Sequence, residues 1–344
     1  MTIGNIDKIK GLFYVCVVIL EREWCKIYTG SLTDNGEIKE YDLKLEWTPL
    51  QYIEEDATRL FEEITRRIKS LKCTFDAIIV SMPGTIKNNE IFSSSRLGIK
   101  KSFPAGQYLS ERLNTYVRII HDINCMLFGS FTSLSDIKAN FTETICYIVV
   151  DEGVGAAIMI DGKIRQGAGV AGHISRLVVE ENGIFHQELS AIGTLESYVS
   201  RPWISQHCVH RFESARMKNG LNQSDDKGQF LKALQAASKN NKNELGYEHF
   251  VWGISEKNKI VIDCFKVAAG YLGRAINAII TITHPHKIIL SGNMISKIPD
   301  FYENTIEAAG NLSWPNAWNN VTFQKRDDSR FDQIKGSFML SIYR

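Results

Sequence analysis

No apolar run in this 344-residue chain is long enough to cross a bilayer, and Met1 to Lys8 carry no basic-then-apolar leader. Those absences make the cytoplasm the expected location. Neither sign of charge is in excess: 40 Lys and Arg stand against 39 Asp and Glu, a net charge of +1. Such a balance argues against a chain whose main partner is nucleic acid. A paired-cysteine pattern is missing too. Seven cysteines, an odd number scattered along the chain, do not form a disulfide framework. What is present is ordinary globular material, 44% hydrophobic and 23% charged, which excludes disorder over the whole length. At roughly 150 residues per domain, the length predicts two domains.

Periodicity sets the expected elements. Leu12 to Leu32 is rich in β-branched and aromatic residues, and Asp34-Asn35-Gly36 separates it from a second strand-like run, Ile38 to Leu45. An Asn-Gly step between such runs is a hairpin signal. Within Leu50 to Lys72, apolar residues fall at helical spacing: Ile53, Ala57, Leu60, Phe61, Ile64, Ile68 and Leu71. A buried strand, Phe75 to Ser81, then runs into the turn Met82-Pro83-Gly84, and a helix over Gly106 to Leu113 and a strand over Val117 to Ile120 follow. The second round comprises a helix over Asp122 to Leu134, a strand over Glu143 to Asp151, and a hairpin turning at Asp161-Gly162. After it come a polar stretch, Met217 to Glu244, with a surface helix in its middle, a long helix over Lys259 to Thr283, a strand over Lys287 to Ser291 and a closing helix over Phe331 to Tyr343. Two rounds of meander, helix and strand predict two similar α/β halves with a ligand cleft between them. The expected boundaries are 1–121 plus 331–344 for a smaller N-terminal domain and 122–330 for a larger one.

Six segments in order carry a family likeness: the strand and turn Ile79 to Gly84; Ile120-His121-Asp122-Ile123-Asn124; Gly153-Val154-Gly155 with the hairpin after it; Ala171-Gly172-His173-Ile174-Ser175-Arg176; Gly193-Thr194-Leu195-Glu196; and Ile288 to Gly292. Together they resemble the ROK family of repressors, open reading frames and sugar kinases, with the first strand closer to its NagC-like regulators. The resemblance implies an α/β, two-domain actin-like ATPase or ribonuclease H-like (hexokinase-type) fold with an interdomain cleft. It also implies a base at Asp122, the group that takes the sugar hydroxyl's proton in the kinases. Capping of the following helix is the structural alternative for Asp122. Phosphate and nucleotide contacts fall on Gly153, Gly155 and Gly292. Sugar contacts fall on Gly84, Arg96, His121, His173, Arg176 and Glu196.

The departures from the family pattern bear on function. Its first phosphate loop, Asp-x-Gly-Gly-Thr, is replaced by Val18-Ile19-Leu20-Glu21-Arg22, and no Gly-Gly or Gly-Thr pair occurs between Phe13 and Leu45. Glycines there let the backbone approach phosphate oxygens. The second loop begins Asp151-Glu152-Gly153, adding two carboxylates with no evident compensating cation. In the sugar shell, only Glu196 keeps the family's residue type. A pocket with His121, His173, Arg96 and Arg176 suits an anionic sugar; a decayed pocket is the alternative. The family's zinc-binding cysteine positions hold Gln187, Leu189 and Thr194, and its histidine position holds Arg176, so no structural zinc is expected. Only about a dozen residues precede the first strand, and no helix-turn-helix is legible in them. The expectation is therefore a non-catalytic, carbohydrate-sensing protein, with no cofactor, a carbohydrate ligand and a homodimeric state. The alternative is an ATP- and magnesium-dependent sugar kinase using Asp122.

Overall fold

The computed structural model describes residues 11–140, 142–219 and 245–343. It divides into two compact units: Met1–Glu143, Ala157–Ala171 and Ser329–Arg344 make the first, and Thr144–Ala156 with Gly172–Asp328 the second. Residues 122–143 and 157–171, assigned to the second domain in the sequence reading, group with the first unit.

The first unit is built on β1 (Leu12–Leu20), β2 (Cys25–Thr33), β3 (Ile38–Trp47), β4 (Ala77–Met82) and β7 (Tyr116–His121), in the order β3-β2-β1-β4-β7. The meander is antiparallel, and β1–β4 and β4–β7 are parallel. β1 and β4 are buried almost throughout, which is why they read as continuous apolar runs rather than alternating ones. Helix α1 (Thr58–Ser70) lays Leu60, Phe61, Ile64 and Ile68 into a core shared with Cys16, Val18, Ile78 and Val80. Each such side chain contributes roughly 1.5–3 kcal/mol. The helix begins at Thr58 rather than Leu50 because Asp56 accepts the Thr58 amide at 2.8 Å and ends the preceding turn.

A short hairpin, β5 (Thr85–Lys87) and β6 (Glu90–Ser93), leads to α2 (Ala105–Leu113). The helix expected over Asp122 to Leu134 is two helices, α3 (Asp122–Gly129) and α4 (Leu134–Ala139). Ser133 starts the second by accepting the Asp136 amide at 3.2 Å.

The other five-stranded sheet centres on β8 (Ile145–Val150), with β9 (Val154–Ile160), β10 (Lys163–Ile164), β13 (Lys287–Ser291) and β14 (Thr322–Lys325). The order is β10-β9-β8-β13-β14, and β8–β13 and β13–β14 are parallel. An antiparallel hairpin followed by parallel strands thus occurs in both sheets, as the repeated sequence pattern predicts. A small hairpin, β11 (Phe185–His186) and β12 (Ala191–Ile192), precedes α5 (Glu196–Val199) and α6 (Arg201–Asn219). After α7 (Tyr247–Ser255) comes α8 (Lys259–Thr283), begun by Asn258, whose side chain accepts the Ile260 and Val261 amides. Helices α9 (Asn293–Lys297), α10 (Phe301–Leu312) and α11 (Pro315–Trp318) complete the second unit. The surface helix expected within 217–244 lies outside the described residues.

The closing helix α12 (Ser329–Leu340) belongs to the first unit and packs on α3. Their contact is backbone to backbone. A Cβ added at Gly129 would lie 1.8 Å from the Asp332 carbonyl oxygen, and one at Gly336 would lie 1.7 Å from that of Cys125. Only glycine admits so close a crossing. None of the described helices is long and apolar enough to cross a membrane.

Candidate functional site

In the first unit, β1 ends in a four-residue turn, Glu21 to Trp24, closed by the Glu21 amide on the Trp24 carbonyl at 2.9 Å. Neither Arg22 nor Glu23 has a positive φ. The turn therefore lacks the left-handed backbone that a glycine pair would supply. Glu21 itself is 8% exposed, and its Oε2 lies 3.3 Å from Arg96 Nε. Arg96 reaches it from a clamped loop. Ser94 Oγ donates to the Pro83 carbonyl at 2.8 Å and accepts the Leu97 amide, while Ser94 and Ile99 exchange backbone hydrogen bonds. Gly84 makes this approach possible: its φ is +142°, and a Cβ there would sit 2.7 Å from the Ser93 carbonyl oxygen.

Asp122 opens α3 at the end of β7. Its Oδ1 accepts the Ile123 amide at 2.8 Å and stands 3.2 Å from His121 Nδ1. Its Oδ2 has no hydrogen bond among the described residues. The Asp122 charge is felt at Glu21. Burial pushes the Glu21 carboxyl up to about 7; Arg96 and Arg330 pull against that rise, and Asp122 and Glu23 add to it. Arg330 stands over the Trp24 ring, 4.0 Å from its centroid. Glu21, Arg96, Asp122 and Arg330 thus form one charged cluster with His121 beside it. Sequence reading placed Arg96, His121 and Asp122 in a site. It treated Glu21 only as an obstacle to phosphate and missed Arg330, which no motif marks.

The second unit holds Gly153, Gly155, His173, Arg176, Glu196 and Gly292. Its β8–β9 turn carries the two added carboxylates, and both are partnered. Tyr247 donates its hydroxyl to Asp151 Oδ1, and Asn293 donates its side-chain amide to Oδ2 at 2.9 Å. Burial, with the Asp151 charge next, pushes the Tyr247 hydroxyl far above its usual pKa. Arg201 grips Glu152 through Nε and Nη2, the latter at 2.6 Å, and donates Nη1 to the Leu245 carbonyl at 3.0 Å. The expectation that these carboxylates have no compensating cation is therefore corrected. Arg201, 49 residues from Glu152, supplies one. Nothing local in the sequence links the two.

Glu196 turns toward the same turn: Oε2 accepts the Val154 amide at 3.4 Å and is the nearest atom to a Cβ built on Gly153. Its Oε1 lies 3.6 Å from His186 Nε2, and the His186 ring packs on Trp203, 4.9 Å between centroids. Gly292 has φ +100°, and a Cβ there would lie 2.3 Å from the Val150 carbonyl oxygen, so it serves the close approach of the β13 end to β8. Gly155 lies within β9. His173 precedes the short 3-10 turn Ile174–Arg176, and Arg176 is exposed. Gly153 and Glu196 are brought together.

The β1–β2 turn does not fit a polyphosphate. A polyphosphate at the β1–β2 turn would meet a buried carboxylate beside a second one, on a backbone without glycine. Zinc does not fit the 176–194 segment either, because no thiolate stands there. Among the described residues, no group of three or more His, Cys, Asp or Glu side chains is placed to hold a metal ion.

The profile of the ROK family matches residues 26–341. An N-acetylmannosamine kinase of Vibrio cholerae serotype O1 is 30% identical over 132 residues, 38% of this chain and 45% of the relative. The aligned part thus spans less than half the length of that curated protein. Among solved structures, a ROK family transcriptional regulator homologous to the Escherichia coli Mlc protein superposes with TM-score 0.71 at 15% identity, covering 96% of this chain and 78% of the other. The ROK family glucokinase from Streptomyces griseus, in complex with glucose and AMPPNP, superposes with TM-score 0.65 at 15% identity, covering 95% and 99%. Regulators and kinases of the family therefore share the actin-like fold found here.

Proposed function

The chain belongs to the ROK family, and from that premise we propose that it is a carbohydrate-binding protein of the sensing kind rather than a phosphotransferase. One observation carries this reading. The β1–β2 turn holds a buried Glu21, ion-paired with Arg96 and adjacent to Asp122, in place of a glycine cradle for phosphate. Phosphoryl transfer depends mainly on positioning and charge stabilisation, and this turn opposes both. Asp122 Oδ2 remains an acceptor for a sugar hydroxyl. Arg96 is engaged by Glu21, so its charge is not wholly available to an anionic ligand, and a neutral sugar or amino sugar is favoured over a sugar phosphate. A cytoplasmic homodimer without a bound metal belongs to the same reading.

The second reading is an ATP-dependent sugar kinase with Asp122 as base. The names of the curated relatives favour it over a regulator, and so does the placement of Asp122 at the start of α3. Calorimetry with ATP and magnesium separates the two. The sensing reading expects no binding up to millimolar ATP. It also expects N-acetylmannosamine, glucose or a related sugar to raise the melting temperature of the protein but not of Asp122→Ala. Micromolar ATP binding with sugar-dependent ADP release would overturn it in favour of the kinase.

A further inference from the structure

The hairpin β11–β12 sets its side chains alternately out and in: Phe185 is 57% exposed and His186 3%. Three polar groups of the second unit converge on the buried His186 ring. The Leu189 amide, within the β11–β12 turn, donates to Nδ1 at 3.2 Å. The Trp203 indole donates its Nε1 hydrogen to Nε2 at 2.9 Å, with the two rings 4.9 Å apart between centroids. Glu196 Oε1 lies 3.6 Å from the same Nε2. This set contains one donor too many. A neutral imidazole has a single acceptor nitrogen and an imidazolium has none, so the two N–H groups cannot both be accepted.

The neighbours decide which donor gives way. A proton on Nδ1 would face the Leu189 N–H, and the Nε2 lone pair would then stand opposite the Glu196 carboxylate. With the proton on Nε2, Nδ1 accepts the Leu189 amide and Nε2–H is offered to Glu196 Oε1, a charged acceptor and so the stronger bond. Only the Trp203 N–H is displaced in this arrangement. Trp203 has somewhere to turn, because it lines an open cavity of about 620 Å³ with Tyr198, His207 and Tyr271, where water can accept the indole hydrogen. Displacement of the indole lets the 3.6 Å separation between His186 and Glu196 shorten to hydrogen-bond length.

We propose that His186 is a positioning residue for Glu196: it carries its proton on Nε2 and donates that hydrogen bond to Glu196 Oε1. Both carboxylate oxygens are then held, Oε2 by the Val154 amide at 3.4 Å and Oε1 by the imidazole. A carboxylate fixed at both oxygens presents its remaining lone pairs in one plane, which lowers the cost of ordering it around a ligand. The Glu196 side chain is 20% exposed, so a ligand hydroxyl can still reach it. That Glu196 receives a sugar hydroxyl rests on the carbohydrate-binding reading above; the tautomer of His186 does not.

Long-range proton–nitrogen NMR on protein with isotopically labelled imidazole nitrogens reads the tautomer directly, and His186→Gln identifies the His186 signals among the eight histidines. The wild type should show Nε2–H, and Glu196→Gln should draw population toward Nδ1–H. An imidazole that only fills space would not respond to that change. In a second arm, binding of N-acetylmannosamine or glucose should weaken about tenfold in His186→Leu, which has no donor. It should stay within about threefold of wild type in His186→Gln, whose amide nitrogen replaces Nε2–H. An Nδ1–H tautomer in the wild type, a tautomer indifferent to Glu196→Gln, or equal losses in His186→Leu and His186→Gln would overturn the proposal. A wild type that binds neither sugar would count against the carbohydrate reading instead, and the tautomer then decides the positioning role by itself.

Discussion

Two turns close the first hairpin of each sheet, and both carry carboxylates where the family resemblance implies glycines and hydroxyls. The protein treats them in opposite ways. In the second unit, Asp151 and Glu152 each have a partner: the Tyr247 hydroxyl and Asn293 amide for the first, the Arg201 guanidinium for the second. In the first, Glu21 is buried with a cation on one side and a second carboxylate nearby, and burial outweighs the cations. Matched partners make a carboxylate a structural bolt. A mismatched set leaves it titrating near neutrality, a free-energy cost retained in the folded state. The first turn is therefore the place where pH acts, and the second is held by its partners.

Removing each carboxylate should have opposite signs. Asp151→Ala strands a partly buried tyrosine hydroxyl and an asparagine amide, and should cost about 3 kcal/mol in urea unfolding. Tyr247→Phe, which removes only one partner, should cost less.

Glu21→Gln should stabilise the protein at pH 8 by about 2 kcal/mol and leave it nearly unchanged at pH 4.5. The sign follows from linkage. The folded carboxyl titrates at about 7 and the ordinary one at 4.5, so between those values the folded state holds the extra proton. Wild-type stability therefore falls as pH rises through that window, and is level above it, as far as this group is concerned. Unfolding midpoints taken across the window should slope downward in the wild type and lose that slope in the variant. A destabilising effect of Glu21→Gln at pH 8 would break the contrast between the two turns.

Arg201→Ala should cost about 1–2 kcal/mol, less than Asp151→Ala, because its partner Glu152 is 35% exposed and water replaces part of the pair. Denaturant titration in low and high salt checks this, since a partly screened pair loses value with salt. The smallest effect should come from Asp122→Asn. It removes a like charge from beside Glu21 and should move the midpoint of the stability–pH slope downward by a fraction of a unit, with little change in stability at pH 5. An upward shift would mean that Asp122 does not face Glu21.

Much of the fold is legible in sequence because its signals are local. The period of α1, the long run of α8 and the apolar strands β4 and β13 each follow from residues within one element. The break between α3 and α4 is a local signal as well, the Ser133 cap, but it lies inside an apolar run that reads as one helix. The site is legible only in part. Asp122 and Arg96 sit in recognisable segments. Arg330 and Arg201 carry no motif and become visible only when folding sets them beside carboxylates at distant positions.

The sequence by itself determined the repeated strand-and-helix pattern, the family, and the absence of glycine from the first phosphate turn, because each is written in adjacent residues. Tertiary structure alone decided which carboxylates are neutralised. Burial and a through-space partner set that balance: Arg201 reaches Glu152 across 49 residues of chain, and Arg96 reaches Glu21 across 75 without cancelling the cost of its burial.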